Sequence, residues 1–233
     1  MMYKKLSVLI PVYNEKDTIK ACVESVLNAD TYGMELELII SDNNSDDGTK
    51  EILKRFTDKR IKVFFREKNS GKGANIKNAL QYASGELILF QDADLEYSPE
   101  NYSDLIKPFF VNDADVVYGS RLTRAKITKI VGFPNYMANK ILTFLMNFLY
   151  NMIFTDIATG YKVFKNEVIK SINLKSDGFE IETEITAKIS KKKLNIFEVP
   201  ISTYSRSYAE GKKVRWWHFF TYVYTIIKWR FTN

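Results

Sequence analysis

The stretch Glu86-Leu87-Ile88-Leu89-Phe90-Gln91-Asp92-Ala93-Asp94 decides the fold, because an apolar run ends abruptly there in two carboxylates one residue apart. The apolar run predicts a buried strand. In an open α/β sheet, ligands bind outside the carboxyl ends of the strands. Two aspartates at such an end can hold a hard divalent cation and leave positions for substrate phosphates. An acidic turn that caps the following helix is the alternative, because D-x-D alone is a common tripeptide.

Strand-like and helix-like segments alternate through the first half of the chain. The predicted strands are Leu6–Val12, Leu36–Ser41, Ile61–Phe65 and Glu86–Gln91, and the predicted helices are Asp17–Asn28 with a capping Asp17-Thr18, Gly48–Phe56 and Ala74–Ala83. This alternation with short connections predicts a parallel sheet with helices on both faces. We therefore predict an α/β fold with a Rossmann-like, mostly parallel sheet flanked by helices, followed by a C-terminal amphipathic helix.

The connections that follow the predicted strands are polar, acidic or glycine-bearing. They comprise residues 11–15, 42–49, 69–73 and 92–94. Since successive parallel strands end at the same edge of a sheet, we expect these connections to become neighbours there. The pair Gly71-Lys72 resembles a phosphate loop, but the sequence contains neither G-x-x-x-x-G-K-[ST] nor G-x-G-x-x-G. An ordinary phosphate loop or dinucleotide fold is therefore not predicted.

Composition favours one compact cytosolic domain. The 233 residues are 45% hydrophobic, and the five prolines are scattered without a linker or repeat between them. The single cysteine, Cys22, cannot form an internal disulfide and lies on an apolar helix face. The only histidine, His218, argues against multi-histidine zinc sites and against a serine-histidine triad. The N-terminus lacks the apolar core of a signal peptide, so we expect a cytosolic location.

The formal net charge of +6 suggests an anionic partner. Basic residues cluster at 121–129 and at 206–215, and the second cluster runs into an aromatic segment. No recognised nucleic-acid-binding motif accompanies either cluster, so nucleic acid is not a predicted partner.

Nine motifs, taken in order, carry a resemblance to a known family. They are V-L-I-P-V-Y-N-E at 8–15, D-N-N-S-D-D-G-T at 42–49, G-K-G-A at 71–74, Q-D-A-D at 91–94, G-S-R at 119–121, T-G-Y-K-V-F at 159–164, G-F-E-I-E-T-E-I at 178–185, E-V-P-I-S-T-Y at 198–204 and R-S-Y-A-E-G-K-K at 206–213. From about Ser7 onward the chain resembles the family 2 glycosyltransferases of the GT-A fold. The resemblance is to the branch that includes dolichyl-phosphate mannose synthase and related polyprenyl-phosphate glycosyltransferases.

The resemblance implies a site for a nucleoside-diphosphate sugar. Its nucleotide-sugar-binding residues would be Pro11, Tyr13, Glu15, Asp42, Lys72, Asp92 and Ala93. Turn and helix-cap chemistry is the alternative for the residues around Asp42. Asp92 and Asp94 would hold Mg²⁺ or Mn²⁺, which acts as a Lewis acid on the leaving diphosphate. Asp94 is the stronger candidate for direct coordination, whereas Asp92 is expected to contact ribose or to reach the metal through water.

The same resemblance assigns basic residues to phosphate groups. Arg121, Arg206 and Lys212 are candidate catalytic residues, and Arg121, Arg206 and Lys213 are candidate acceptor-phosphate ligands. A solvated surface charge, or attraction to an anionic membrane, is the alternative.

No single carboxylate stands out as a general base. A polyprenyl phosphate does not need one, because its oxygen is already anionic at neutral pH. Glu180, Glu182 and Glu184 alternate with apolar residues. Glu182 is the candidate catalytic carboxylate, and an exposed polar face is the alternative for all three.

Two apolar segments, Ile141–Phe154 and Trp216–Phe231, bear on membrane association. Both are shorter than the roughly 20 apolar residues that a spanning helix needs. Basic residues and tryptophans bound the second segment, a pattern typical of a helix at a bilayer interface. A helix packed against the domain is the alternative for each segment.

These observations predict a single glycosyltransferase domain over residues 1–233. Residues 1–95 would form the nucleotide-sugar half, 96–205 the acceptor half, and 206–233 a basic loop with an amphipathic, aromatic-rich tail. The predicted function is metal-dependent, inverting transfer of a hexose, from a donor of the GDP-mannose or UDP-glucose type to a polyprenyl phosphate. The protein would lie peripherally on the cytoplasmic face of the membrane. A saccharide or protein hydroxyl acceptor is one alternative, and a catalytically silent sugar-nucleotide-binding or membrane-adaptor module is another.

Overall fold

The computed structural model describes residues 3–123, 132–204 and 213–232. In the first half, the strands are β1 Lys5–Val12, β2 Glu35–Asp42, β3 Ile61–Phe65 and β4 Leu87–Phe90, and the helices are α1 Ile19–Leu27, α2 Thr49–Leu53 and α3 Lys72–Gln81. Every predicted strand and helix of this half is present. Thr18 is the N-cap residue of α1, as predicted, but its hydroxyl donates to Glu15 and makes no capping hydrogen bond.

The second half has a different element order. A 3-10 turn at Pro99–Asn101 leads into α4 Tyr102–Val111, β5 Val116–Ser120, α5 Phe133–Tyr150, β6 Lys162–Lys165, α6 Asn166–Lys170, α7 Ile181–Ser190, β7 Ile196–Pro200 and α8 His218–Phe231. The predicted amphipathic C-terminal helix is α8.

A seven-stranded sheet in the order β3-β2-β1-β4-β6-β5-β7 organises the described residues. All neighbouring strands are parallel except β6, which runs antiparallel to both β4 and β5. In the β4–β6 register, Leu89 lies opposite Val163 and Leu87 lies opposite Lys165. The start of β6 therefore lies at the edge of the sheet where β4 ends.

Both faces of the sheet are covered, which explains why its central strands read as nearly continuous apolar runs. On one face, Leu6, Val8 and Ile10 of β1 pack in a cluster with α1 and α4. On the other face, Leu9 of β1 packs in a cluster with α3, α5, α7 and α8. The predicted α/β class with a mostly parallel, helix-flanked sheet is confirmed.

Candidate functional site

A cleft of about 880 Å³ opens at the carboxyl edge of the sheet. Connections that follow six of the strands contribute to its lining, and α5, α7 and α8 complete it. The predicted site residues in that lining are Pro11, Tyr13, Glu15, Lys72, Asp92, Ala93, Asp94, Arg121, Glu182 and Lys213. The cleft thus brings together residues that lie 200 positions apart in the sequence, such as Tyr13 and Lys213.

Gln91 supports the aspartate-bearing connection from beneath. Its buried side-chain oxygen accepts hydrogen bonds from the hydroxyls of Tyr102 and Tyr161, at 2.7 and 2.6 Å. Its side-chain nitrogen donates to the carbonyl oxygens of Asp92 and Tyr97, at 2.9 and 3.3 Å. Because both ends of the amide are fully engaged, this network fixes the backbone that carries the Asp92 carboxylate.

Gly160 lies directly against the Asp92 carboxylate. Its N–H donates to the Tyr97 hydroxyl at 2.8 Å, and a Cβ at this position would collide with Asp92 Oδ2. Gly160 precedes β6 and reaches the cleft because that strand starts at the edge where β4 ends. The missing side chain is therefore a steric requirement of the site.

The Lys72 ammonium lies between two carboxylates. Its Nζ is 2.6 Å from Asp92 Oδ1 and 3.1 Å from Glu182 Oε1. Burial opposes the charge, but the two carboxylates outweigh it and hold the pKa of Lys72 well above its ordinary value. Lys72 is therefore a lasting positive charge beside the candidate metal ligands.

The backbone at the start of α3 is engaged by another loop. The Gly73 N–H donates to the Gly178 carbonyl at 3.2 Å, and the Ala74 N–H donates to the Asp177 carbonyl at 3.0 Å. Side chains at Gly71 or Gly73 would collide with that same loop. These glycines therefore serve close packing of two backbone segments, and the Lys72 side chain is what α3 presents to the cleft.

Glu182, in the first turn of α7, is buried between two lysines. Its Oε2 accepts a hydrogen bond from Lys162, which also donates to the Thr159 carbonyl at 2.5 Å. Burial raises the pKa of Glu182, but the ammonium groups of Lys162 and Lys72 outweigh burial and lower it. The carboxylate is therefore anionic at neutral pH and a weak proton acceptor.

Asp92 and Asp94 fit a hard divalent cation. Carboxylate oxygens are ligands that Mg²⁺ and Mn²⁺ prefer. Asp94 Oδ1 accepts a hydrogen bond from the Glu96 N–H at 3.1 Å, which fixes the turn after β4. Among the described residues, no group of three or more His, Cys, Asp or Glu side chains is arranged to hold a metal. A divalent ion held by this pair would therefore need its remaining ligands from other groups, such as phosphate oxygens and water.

Asp42 is completely buried at the carboxyl end of β2. Its Oδ2 accepts the Ser45 N–H at 3.1 Å, whereas its Oδ1 has no hydrogen-bond partner in the part of the chain that the structure describes. A buried carboxylate oxygen without a donor carries a free-energy cost. Its neighbour Asn43, and not Asp42 itself, lines the cleft.

Two buried asparagines hold the loops at this end of the cleft. Asn43 donates from Nδ2 to Asn69 Oδ1 at 2.7 Å. Asn75 donates from Nδ2 to the carbonyl oxygens of Val12 and Ser41, at 3.2 and 2.6 Å. Asn75 thereby ties together the ends of β1 and β2.

Lys213 reaches the connection after β1 from the far end of the chain. Its Nζ is 2.6 Å from Glu15 Oε1 and also donates to the Tyr13 carbonyl. The Glu15 N–H donates to the Thr49 hydroxyl at 3.0 Å. Lys213 therefore contacts Tyr13 and Glu15, two of the residues for which the family resemblance implies nucleotide binding.

Arg121 forms a two-point ion pair with the buried Asp156. Its Nε and Nη2 donate to that carboxylate at 2.7 and 2.8 Å, and its Nη1 donates to the Tyr97 hydroxyl at 3.3 Å. Burial opposes both charges, but their attraction raises the pKa of Arg121 and lowers that of Asp156. A guanidinium has five N–H donors, and within the described residues two of those of Arg121 have no hydrogen-bond partner.

The opposite side of the cleft is apolar and is built mainly by α5 and α8. Its side chains are Pro134, Met137, Ile141, Leu142, Trp216, Phe219, Phe220 and Tyr222. The same helices expose Phe144, Phe148, Tyr224, Ile227 and Phe231 outside the cleft. Within the described ranges, no helix has both the length and the apolarity needed to cross a bilayer.

Two of the predicted site residues lie outside the described part of the chain, and three residues that hold the site together were not predicted. Arg206 and Lys212 lie outside the described residues. Asn75, Asp156 and Lys162 were missed as site residues. The signal for Lys162 was present, since a lysine followed by Val163-Phe164 in an apolar strand is an ionisable group inside a core.

Comparison with known sequences identifies the family. Residues 7–172 match the profile described as Glycosyl transferase family 2. The dolichol-phosphate mannosyltransferase of Pyrococcus furiosus is 28% identical over 234 residues, covering 97% of this chain and 64% of that protein. The chain therefore spans just under two thirds of that relative's length. The UDP-N-acetylglucosamine–dolichyl-phosphate N-acetylglucosaminyltransferase of Methanococcus voltae is 26% identical over 232 residues, covering 91% of this chain and 90% of the relative.

Solved structures share the fold. Glucosyl-3-phosphoglycerate synthase from Mycobacterium tuberculosis, in complex with Mn²⁺, UDP and phosphoglyceric acid, has a TM-score of 0.74 at 18% identity over 99% of this chain and 80% of that one. Mannosyl-3-phosphoglycerate synthase from Rubrobacter xylanophilus has a TM-score of 0.74 at 19% identity, over 97% and 72% of the two chains. The predicted GT-A fold is thereby confirmed. Since the family profile matches most of its length, the chain belongs to the family 2 glycosyltransferases.

Proposed function

We propose that this glycosyltransferase moves a hexose, with inversion, from a nucleoside-diphosphate sugar to a polyprenyl phosphate at a membrane surface. The two-sided cleft carries the proposal, with Asp92, Asp94 and Lys72 at one end and the aromatic wall of α5 and α8 at the other. Charged groups suit a sugar nucleotide, and an apolar wall suits a prenyl chain. The activities for which the Pyrococcus and Methanococcus relatives are named support the same pairing of substrates.

The nucleotide is proposed to lie along the connections after β1 and β2. Asp42 lies behind the cleft-lining Asn43. Because its Oδ1 lacks a donor among the described residues, we propose that the two loops part when the nucleotide binds, so that a base N–H donates to Asp42 in a charge-assisted hydrogen bond. Pro11, Tyr13 and Glu15 would line the nucleotide, and Ala93 offers a small side chain beside it.

The diphosphate is proposed to lie between the aspartate pair and the basic residues. Asp94 would be the direct metal ligand, because Lys72 already neutralises one oxygen of Asp92. When bound, Mg²⁺ or Mn²⁺ supplies Lewis-acid stabilisation of the departing diphosphate. Lys72 and the two remaining donors of Arg121 would bind phosphate oxygens and balance the charge that develops on them. Arg206 and Lys212 are proposed to add to that charge.

The acceptor phosphate is proposed to attack without a general base. Its oxygen is anionic at neutral pH, so the protein must chiefly orient it and exclude water. Arg121, Arg206 and Lys213 are the proposed phosphate ligands. Glu182 is proposed to hold Lys72 in place, because its lowered pKa makes it a poor base.

The exposed apolar side chains of α5 and α8 support a peripheral position on the membrane. Phe144 and Phe148 on α5, and Tyr224 and Phe231 on α8, are mostly exposed to solvent. Helices with such faces bind the boundary between headgroups and acyl chains. We propose the cytoplasmic face, where sugar nucleotides would have access to the open cleft.

The test is transfer from labelled GDP- and UDP-hexoses, with Mn²⁺ or Mg²⁺ and undecaprenyl or dolichyl phosphate. Label that becomes extractable into chloroform only when the lipid phosphate is present supports the proposal. Label in an aqueous saccharide or peptide would instead favour a hydroxyl acceptor. Donor binding without transfer to any acceptor would favour the silent binding module.

A further inference from the structure

Lys162 is a buried, ion-paired lysine to which the proposed function assigns no role. It is the first residue of β6, and its side chain has no exposed surface. Burying an ammonium group is costly unless it is paired and hydrogen-bonded. Because a buried ion pair is often no more stabilising than a well-packed apolar pair, stability alone is a weak reason for it.

One of the contacts of Lys162 is with a residue that lines the cleft. It is ion-paired with Glu182 Oε2 and donates to the Thr159 carbonyl at 2.5 Å. Its Nζ also lies 5.1 Å from the centre of the Tyr118 ring. Glu182 lines the cleft and Lys162 does not. Glu182 is therefore the residue through which the Lys162 ion pair reaches the cleft.

Charges of alternating sign connect Lys162 to the polar end of the cleft. Lys162 pairs with one oxygen of Glu182, and the other oxygen is 3.1 Å from the Lys72 Nζ. The Lys72 Nζ is in turn 2.6 Å from Asp92 Oδ1. Glu182 is thus shared between two cations, and Lys72 between two anions. Without the Lys162 charge, Glu182 would attract Lys72 alone and draw it away from Asp92.

We infer that Lys162 is a positioning residue. By pairing with one of the two carboxylate oxygens of Glu182, it sets the location of the Lys72 ammonium, which pairs with the other. The inference rests on the proposed function, because it takes Lys72 to be a ligand of the diphosphate. Groups that orient a metal-ligating residue from behind typically contribute about 10–100-fold in affinity or activity, and we expect the same scale for a group that orients Lys72. Loss of Lys162 should therefore weaken diphosphate binding by about that factor.

Lys165 provides a matched control on the same strand. It is also ion-paired, with its Nζ 2.8 Å from Asp115 and 3.0 Å from Asp113. It lies opposite Leu87 at the other end of the β4–β6 pairing. Lys165→Met therefore removes an ion-paired lysine from β6 without touching the cleft.

The experiment is calorimetric titration with UDP and with GDP, each in the presence of Mn²⁺, on Lys162→Met, Lys72→Met, the double variant and Lys165→Met. We expect Lys162→Met to weaken binding of the preferred nucleotide about 10–100-fold, and Lys165→Met to leave it unchanged. Adding Lys162→Met to the Lys72→Met protein should change binding less than about twofold, because the residue through which Lys162 acts is gone.

An equal loss in the native and the Lys72→Met backgrounds would reveal a purely structural role and overturn the inference, as would no loss at all. If Lys162→Met does not fold, Lys162→Met/Glu182→Gln is compared with Glu182→Gln alone, and the two should bind nucleotide within about twofold of each other, because Lys162 acts through the Glu182 charge; a larger difference would overturn the inference. Failure of that variant to fold as well would assign the pair to stability and also overturn the inference. Nucleotide binding by the unaltered protein without sugar transfer would contradict the proposed function instead, so the two failures are distinguishable.

Discussion

The parallel half of the sheet, β1 to β4, and the reversed strand β6 supply the cleft by opposite geometric routes. Strands β1 to β4 run parallel, and each contributes the connection that follows its carboxyl end. Strand β6 runs the other way, so the residues at its start lie at this edge: Gly160 lines the cleft, and Lys162 lies behind it and pairs with Glu182. At one edge of a mixed sheet, the carboxyl ends of the parallel strands therefore lie beside the amino ends of the antiparallel strands.

The two routes also deliver different kinds of residue. The parallel half presents Asp92, Asp94 and Lys72 to the cleft. The reversed strand presents a glycine that makes room for Asp92 and a buried lysine that pairs with Glu182. In this molecule, the forward strands carry the groups that would meet the substrate, and the reversed strand carries groups that hold them.

The largest expected effect tests the parallel half. Asp94→Asn removes the charge of the proposed direct metal ligand and should reduce sugar transfer by about a thousandfold. Initial rates at saturating Mn²⁺ would measure this loss. Asp113→Asn, at an exposed position remote from the cleft, is the control. A rate for Asp94→Asn equal to that of the control would contradict the proposed mechanism.

A smaller loss is expected from the reversed strand. Gly160→Ala adds a methyl group that would collide with Asp92 Oδ2, so the carboxylate must move. We expect transfer to fall about 10–100-fold. Gly132→Ala is the matched control, because its Cβ would lie 3.9 Å from its nearest neighbour, Pro134. Equal rates for the two variants would show that the position of Asp92 is not critical.

The apolar face of α5 extends the comparison to the membrane. Phe144 and Phe148 stack with ring centres 6.2 Å apart and lie outside the cleft lining. Phe144→Ser/Phe148→Ser should weaken binding to anionic vesicles about tenfold, because less apolar surface enters the bilayer. Cosedimentation measures this binding. Val111→Ser, an exposed change on α4, is the control and should have no effect. If neither change alters vesicle binding, α5 does not contact the membrane.

The smallest effect is expected at the opposite edge of the parallel half. Glu37 is buried there and accepts hydrogen bonds from Lys62, Ser7 and Ser84. Burial opposes its charge, but these bonds outweigh burial and lower the pKa of Glu37 to about 2. The stability they provide is present above the ordinary carboxyl pKa and is lost as pH falls towards the lowered value.

Glu37→Gln should therefore lower the melting temperature at pH 7, and its difference from the native protein should shrink as pH falls towards 2. Thermal denaturation across this pH range tests the expectation. Glu35→Gln, an exposed change on the same strand, is the control. A difference between native and Glu37→Gln protein that does not vary with pH would show that the Glu37 charge is not the stabilising feature.

The parallel half of the sheet could be predicted from the sequence because each of its strands is marked by a local pattern. Each strand is an apolar run, and the polar residues after it must lie at the carboxyl edge once the strands are parallel. Asp92, Asp94 and Lys72 were predicted in this way, together with the family resemblance, and all three line the cleft. The roles assigned to them remain predictions.

The reversed strand could not be predicted by the same reasoning. β6 is four residues long, and its direction depends on a long path through α5 that no local pattern records. Asp156 and Lys162 matter because of partners distant in sequence, Arg121 and Glu182. Such pairings become visible only when the strands are assembled. Buried charges in an apolar segment are nevertheless a signal for which a sequence can be searched.

The contact between Lys213 and the Tyr13 carbonyl has a consequence for folding kinetics. Two hundred residues separate these partners in the chain, and closing so long a loop carries a large entropic cost that intermediate contacts must first reduce. We therefore expect the first connection of the sheet and the segment before α8 to meet late in folding. A chain in which α8 had not docked would lack Lys213 beside Tyr13 and Glu15, so we expect it to bind the proposed donor more weakly.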